Sequence, residues 1–342
     1  MAKYFVVAPS WIGDTVLAQA LFRRLLERNP GSTIDVFASR SLAPVLRRMA
    51  EVDEVIDNPF GHGELSLAHR WRSGRAMKQR GYDQAIVLPN SLKSALVPFF
   101  AGIPRRTGFV GESRYGLLND ARKLNEAALP LMVERYALLA EPAGTPLVRP
   151  LPKPRLRIDP RLLLATVAML DLDPGQPVVA FCPGAEYGPA KQWPKEQFAA
   201  LAKTYAATGW EVWLLGSKND IPIGAEINRL SGDLCRDLTG QTDLAQVIDL
   251  LSCVTAVVSN DSGLMHIAAA LDKPMAALYG SSSPLHTPPL SDRARVIYLH
   301  LDCSPCYQRE CPLGHFNCMR QMAPELVRQT LQDVVGRRPA RV

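Results

Sequence analysis

The sequence predicts an α/β protein built from two Rossmann-like domains, each a doubly wound parallel sheet, facing each other across a cleft. Short apolar runs alternate with stretches of helical period from the amino terminus onward, as β-α units with buried strands require. Prolines then crowd residues 142–160 (Pro142, Pro146, Pro150, Pro152, Pro154 and Pro160), after which the alternation restarts. Proline blocks helix interiors and removes ladder donors, so this segment reads as an interdomain linker. The 342 residues also exceed the roughly 250–300 at which one hydrophobic core stops growing, and 47% hydrophobic content is ample for two cores.

In the first domain, 1–150, strands are expected over 4–8, 34–38, 54–56 and 84–88. Helices are expected over 15–28, 42–49 and 91–101, with a long helical stretch before the fourth strand. In the second domain, 151–342, strands over 178–181, 212–215, 256–259, 275–278 and 296–299 alternate with helical patterns at 198–207, 223–230, 244–251 and 264–271. A last helix covers 324–335. Right-handed crossovers gather the loops at the carboxyl edge of each sheet, where such folds bind ligands.

No run approaches the ~20 continuous apolar residues of a membrane span, and the amino terminus enters a buried strand without a cleavage site, so a cytoplasmic location is expected. The net charge of +6 lies entirely in the first half: residues 1–150 carry 20 Lys+Arg against 14 Asp+Glu, and residues 151–342 carry 19 of each. An anionic partner for the first domain accounts for this asymmetry, as does a merely solubilising surface. No nucleic-acid partner is expected.

Four strand-to-helix turns carry candidate chemistry. The first, Pro9-Ser10-Trp11-Ile12-Gly13-Asp14, lacks the G-x-G-x-x-G spacing of a dinucleotide site. Asp14 just before the helix is a natural N-cap, and a cleft carboxylate is also a general base; spacing leaves both roles open. The turn Asn260-Asp261-Ser262-Gly263-Leu264-Met265-His266 opens a helix with small residues that leave N–H groups free to cradle phosphate, and His266 follows one turn in as a core or a functional residue. In the loop starting Pro183-Gly184, Lys191 stands among Gly and Pro, where it could neutralise a diphosphate leaving group or remain a solvated lysine. Asp220, after the strand 212–215, occupies a position that often binds ribose hydroxyls.

Several of these segments resemble heptosyltransferases of glycosyltransferase family 9. The resemblance is carried by Ser10-Trp11-Ile12-Gly13-Asp14, Cys182-Pro183-Gly184-Ala185-Glu186, Gly188-Pro189-Ala190-Lys191 and the 260–266 turn, and also by Leu88-Pro89-Asn90-Ser91, the run 93–104 and Arg114-Tyr115-Gly116-Leu117-Leu118-Asn119-Asp120. It covers nearly the whole chain. It implies a GT-B fold, with a lipopolysaccharide core acceptor on the first domain and ADP-heptose on the second, and an inverting transfer of heptose to the first heptose of the inner core. Asp14 is then the general base, Lys191 meets the donor phosphates, and Gly184, Asp220, Asp261, Ser262, Gly263 and His266 line the donor. No metal or other cofactor is implied for catalysis. The anionic acceptor gives the basic first domain a use: Lys93, Arg105, Arg106, Arg114, Arg122 and Arg135 are candidate contacts, and peripheral contact with the inner membrane follows from a lipid acceptor. Asp220 departs from the glutamate associated with the related heptosyltransferase I group. The competing readings are transfer at another core position, or a non-catalytic sugar-nucleotide-binding module.

Of seven cysteines, Cys182, Cys235 and Cys253 lie in or beside apolar runs and read as core residues. The others form a cluster, Cys303-x2-Cys306-x4-Cys311-x6-Cys318, with His315 nearby. Structural zinc, free thiols and disulfide or redox chemistry all fit this irregular spacing.

Overall fold

The computed structural model describes residues 1–61 and 63–336; the last six residues of the expected range 151–342 lie outside them. The chain forms two compact units, Met1–Leu156 and Arg157–Val342. The first carries strands β1 (Lys3–Val7), β2 (Thr33–Ala38), β3 (Glu54–Asp57), β4 (Gln84–Val87), β5 (Arg105–Phe109) and β6 (Asp120–Arg122). The second carries β7 (Val178–Cys182), β8 (Glu211–Leu214), β9 (Cys235–Asp237), β10 (Ala256–Asn260), β11 (Met275–Tyr279) and β12 (Ala294–Tyr298).

Both sheets are parallel throughout and share one topology, β3-β2-β1-β4-β5-β6 and β12-β11-β10-β7-β8-β9. Read from its first strand, each has the Rossmann order, which reverses between β1 and β4 and between β7 and β10. Every residue of β7, β10 and β11 is buried, which explains why these strands read as continuous apolar runs rather than alternating ones. Phe181 packs on Phe198 and Tyr205, and Trp193 meets Phe198 edge-on at 4.7 Å. In the first unit Phe5, Phe37 and Tyr82 form the corresponding aromatic centre.

The expected elements are present with shifted ends, and three strands were not anticipated. β6 and β9 are sheet edges of three residues each, Asp-Ala-Arg and Cys-Arg-Asp, and β5 opens on two arginines. Short polar edges protect a sheet from further pairing, and they lack the apolar signal that reveals a central strand. The proline segment also differs from a plain linker. Its exit from the first unit is tied to the helix Ile12–Arg28: Gln19 exchanges two hydrogen bonds of 2.8 Å with the Arg155 backbone, and Arg23 and Arg24 donate to the carbonyls of Lys153, Val148 and Pro150. A chain without ladder partners needs such side chains to satisfy its backbone. Pro160 lies in no linker; it opens the helix Pro160–Met169 behind the N-cap Asp159, whose carboxylate accepts from Arg161 and Leu162. Of the three expected core cysteines, Cys182 is buried and Cys235 and Cys253 are half-buried.

The Phe181 ring is fully buried in the second core, against Phe198 and Tyr205. Phe181→Ala is expected to lower the stability of the second unit by about 3–5 kcal/mol, read as an earlier urea midpoint for its transition.

Candidate active site

In the second unit the loops after β7, β10 and β11 converge on a small charged centre. Lys191, in the turn Pro189–Lys191, places its Nζ 2.5 Å from Asp261 Oδ2, and Ser282 Oγ donates to the same oxygen at 2.5 Å. Lys191 also lies 5.1 Å from the centre of the Tyr187 ring. Asp261 is 6% exposed, so its negative charge needs these partners to be tolerated. His266 is 5% exposed on the helix Gly263–Ala270. Burial pushes its pKa down to about 4, opposed by Asp261 and assisted by Lys191. The ring is therefore neutral at neutral pH.

Asn260, at the end of β10 and fully buried, sets this geometry. Its amide nitrogen donates to the Pro183 carbonyl at 2.7 Å, and its amide oxygen accepts from the Trp193 N–H at 3.1 Å. Both ends of the loop that carries Lys191 are thereby pinned. Ser262 is the N-cap of the Gly263–Ala270 helix, and its side chain makes no cap hydrogen bond. Gly184 faces Asp220 so closely that a Cβ there would run into the carboxylate. Asp220 Oδ2 accepts from the Ser217 N–H and hydroxyl at 2.7 and 2.8 Å, closing the turn after β8. Lys191, Asp261 and His266 thus form one group, with Gly184 and Asp220 as a second pair on the β8 side.

In the first unit Asp14 corrects one expectation. The helix starts at Ile12 behind the N-cap Trp11, so Asp14 lies inside the first turn and is not the cap. Its carboxylate accepts a hydrogen bond from the Tyr136 hydroxyl; burial first, then the Asp14 charge and this bond, push the Tyr136 pKa well above its usual value. Tyr136 is on the helix Met132–Leu138, which packs along Ile12–Arg28.

The basic residues do not form one open patch. Arg114 is 2% exposed, and its guanidinium donates to the carbonyls of Phe109, Pro89 and Ser91, to Ser94 Oγ and to Asn90 Oδ1. Burial lowers its pKa to about 10, against the opposing charge of Glu112. It braces the loop after β4 and presents no charge to a ligand. Arg106 donates to the carbonyls of Leu117 and Ile103, and Arg135 to that of Leu129. Arg105 and Arg122 share Asp120, each at 2.9 Å. Burial alone would raise that carboxyl, yet hydrogen bonds from Arg122, Thr107 and Arg105 hold it at about 2. Arg105 remains exposed and Lys93 half-buried.

Sequence reasoning missed Ser282, Tyr136 and the clamping role of Asn260. A run of small residues after a Rossmann strand, Gly280-Ser281-Ser282-Ser283, was the available signal for Ser282; Tyr136 had none. One consequence is a pH dependence. Unfolded, His266 has its ordinary pKa near 6.5; folded, about 4. The unfolded chain binds the extra proton between these values, so this contribution to stability is full above about pH 6.5 and is lost as pH falls towards 4. Between about pH 7 and pH 5, urea unfolding is expected to show the wild type losing about 2 kcal/mol more than His266→Gln.

The pattern of glycosyltransferase family 9 (heptosyltransferase) matches residues 70–317. Lipopolysaccharide heptosyltransferase 2 of Escherichia coli K12 is 46% identical over 342 residues, covering 97% of this chain and 98% of its own. The enzyme of the same name from Salmonella typhimurium LT2 is 45% identical over 343 residues, covering 98% and 99%. The solved structure of the E. coli ADP-heptose lps heptosyltransferase II superposes with a TM-score of 0.87 at 43% identity, covering 97% of this chain and 98% of that one. The shared architecture is the GT-B-like α/β fold of two parallel six-stranded sheets. With a family pattern across most of its length and such similar relatives end to end, the chain is a glycosyltransferase and belongs to family 9, the heptosyltransferases.

Proposed function

We propose that this glycosyltransferase moves L-glycero-D-manno-heptose from ADP-heptose to the first heptose of the lipopolysaccharide inner core, with inversion at the anomeric carbon. The observation that carries this reading is the full-length identity of 45–46% to two enzymes named lipopolysaccharide heptosyltransferase 2. The site geometry is compatible with each chemical step.

In this reading Asp14 takes the proton from the acceptor hydroxyl as its oxygen bonds to the anomeric carbon, and the carbon–phosphate oxygen bond breaks with ADP leaving. Tyr136, donating to Asp14, aims the carboxylate and favours its ionised, proton-accepting form. Lys191 offsets the charge that develops on the leaving diphosphate, and the first N–H groups of the Gly263–Ala270 helix, with Ser262 and Gly263, add to it. His266, neutral, and Asp261 orient Lys191 and the sugar. Asp220 and Gly184 border the nucleoside. For the acceptor, Lys93 and Arg105 are the direct contacts, while Arg106 and Arg114 hold the loops beside them. A lipid-linked acceptor places the working enzyme at the cytoplasmic face of the inner membrane; among the described residues no helix is long and apolar enough to cross it.

Asp14→Asn is expected to cut kcat by on the order of 10²–10⁴ while ADP-heptose binding is retained; near-normal turnover would remove Asp14 from the chemistry. Tyr136→Phe should lower kcat with an unchanged donor KM and move the acidic limb of the pH–rate profile upward, because ionised Asp14 loses a donor. Lys191→Ala is expected to weaken ADP binding roughly tenfold, measured by calorimetry, and to slow turnover further. Core acceptors carrying zero, one or two heptoses test the acceptor position. Turnover restricted to the heptose-free acceptor would redirect the assignment to another position.

A further inference from the structure

We propose that Cys303, Cys306, Cys311 and Cys318 bind one thiophilic divalent ion, zinc or iron, as a tetrathiolate that fastens their loop to the turns carrying Lys191 and Ser282. The four cysteines, all free thiols, line a single cavity of about 20 Å³ together with Ala190, Ser281 and His315. That volume suits one small occupant. Cys318 is within electrostatic range of the three others, and the Gly280 backbone lies against its sulfur.

Three observations favour an ion over an apolar void. First, the chain between Tyr298 and Asn317 contains no helix or strand. A segment of that length inside a compact domain is uncommon unless something else orders it. Its own side chains contribute little apolar burial: Tyr307 and Leu313 are more than half exposed. Second, the turn after Cys311 is shaped as a sulfur cradle. The Phe316 N–H donates to Cys311 Sγ at 3.4 Å. Backbone donors around a sulfur stabilise a thiolate, the form that binds metals. Third, His315 is committed elsewhere: its Nδ1 accepts from the Asn317 N–H at 3.0 Å, which leaves the cysteines as the matched donor set.

Among the described residues no three His, Cys, Asp or Glu side chains already stand at coordination distance. The four sulfurs ring the cavity and must turn inward to reach the ~2.3 Å of a zinc–sulfur bond. On binding, each thiol loses its proton to solvent and four sulfur–metal bonds form. The loop they would lock reaches the candidate active site directly. Tyr307 N–H donates to the Ser281 carbonyl at 2.7 Å, Ala190 N–H to the Arg309 carbonyl at 3.0 Å, and Tyr187 hydroxyl to the Tyr307 carbonyl at 2.7 Å. Ala190 and Ser281 adjoin Lys191 and Ser282 in sequence, so an ion here stiffens the phosphate-facing turns without touching substrate.

The test uses the untagged full chain, purified without chelator and also reconstituted anaerobically, after reduction and stripping, with zinc, iron or cobalt. Plasma mass spectrometry is expected to find about one ion per chain and to name it. The cobalt form is expected to show the intense visible bands of tetrahedral thiolate coordination, and bound metal should shield four of the seven thiols from alkylation. Cys303→Ser with Cys306→Ser should weaken binding at least roughly tenfold, while Cys253→Ser should leave it unchanged. Reconstituted wild-type protein that takes up none of the three metals, with the four cluster thiols as reactive after metal addition as before it, overturns the proposal, as does undiminished loading of the double variant.

Discussion

The buried amide of Asn260 is the constraint on which the second-unit site depends. An unsatisfied amide at the end of a fully buried strand costs several kcal/mol, and this one is satisfied by the two ends of a single loop, at Pro183 and Trp193. The loop is therefore closed on a strand end that cannot move without unpacking the sheet. Lys191 rides on it, and only that placement brings its ammonium onto Asp261, the next residue along from the clamp. His266 is neutral because it is buried beside this pair, and Ser282 is oriented by its hydrogen bond to Asp261.

The first unit reaches an equivalent rigidity by another route. Its loop after β4 is held from beneath by Arg114, whose buried guanidinium has carbonyls and short polar side chains around it. The helix bearing Asp14 is held along its flank by the Met132–Leu138 helix and by the proline segment that Gln19, Arg23 and Arg24 capture. Two sheets of identical order thus support different kinds of site: one a paired ammonium among small residues, the other a carboxylate steadied by a phenol.

Periodicity made the central strands and most helices legible, because apolar burial leaves a local trace in sequence. Edge strands such as Asp120–Arg122 leave none. The turns holding Asp14, Lys191 and Asp261 stood out by their small residues and isolated charges, and family resemblance assigned them roles that composition could not. Long-range pairs stayed hidden: Lys191 and Asp261 are 70 residues apart, and nothing local announces Tyr136 as the partner of Asp14. Charge counting was the weakest guide. It treated Arg105, Arg106, Arg114, Arg122 and Arg135 as available cations, whereas carbonyls and Asp120 already occupy most of them, and a guanidinium consumed internally looks in sequence like one facing solvent.

The Lys191–Asp261 pair bears on how the site empties as well as how it fills. A cation with a resident counter-ion never presents a bare charge, so a diphosphate arriving in the proposed site exchanges with Asp261 instead of adding to an exposed ammonium. Exchange favours ligands dense enough in negative charge to win it and disfavours single phosphates. On the proposed role it works equally in reverse: as the spent nucleotide departs, Asp261 takes the ammonium back, and the vacated pocket returns to electrical balance. A receptor of this kind trades some affinity for turnover.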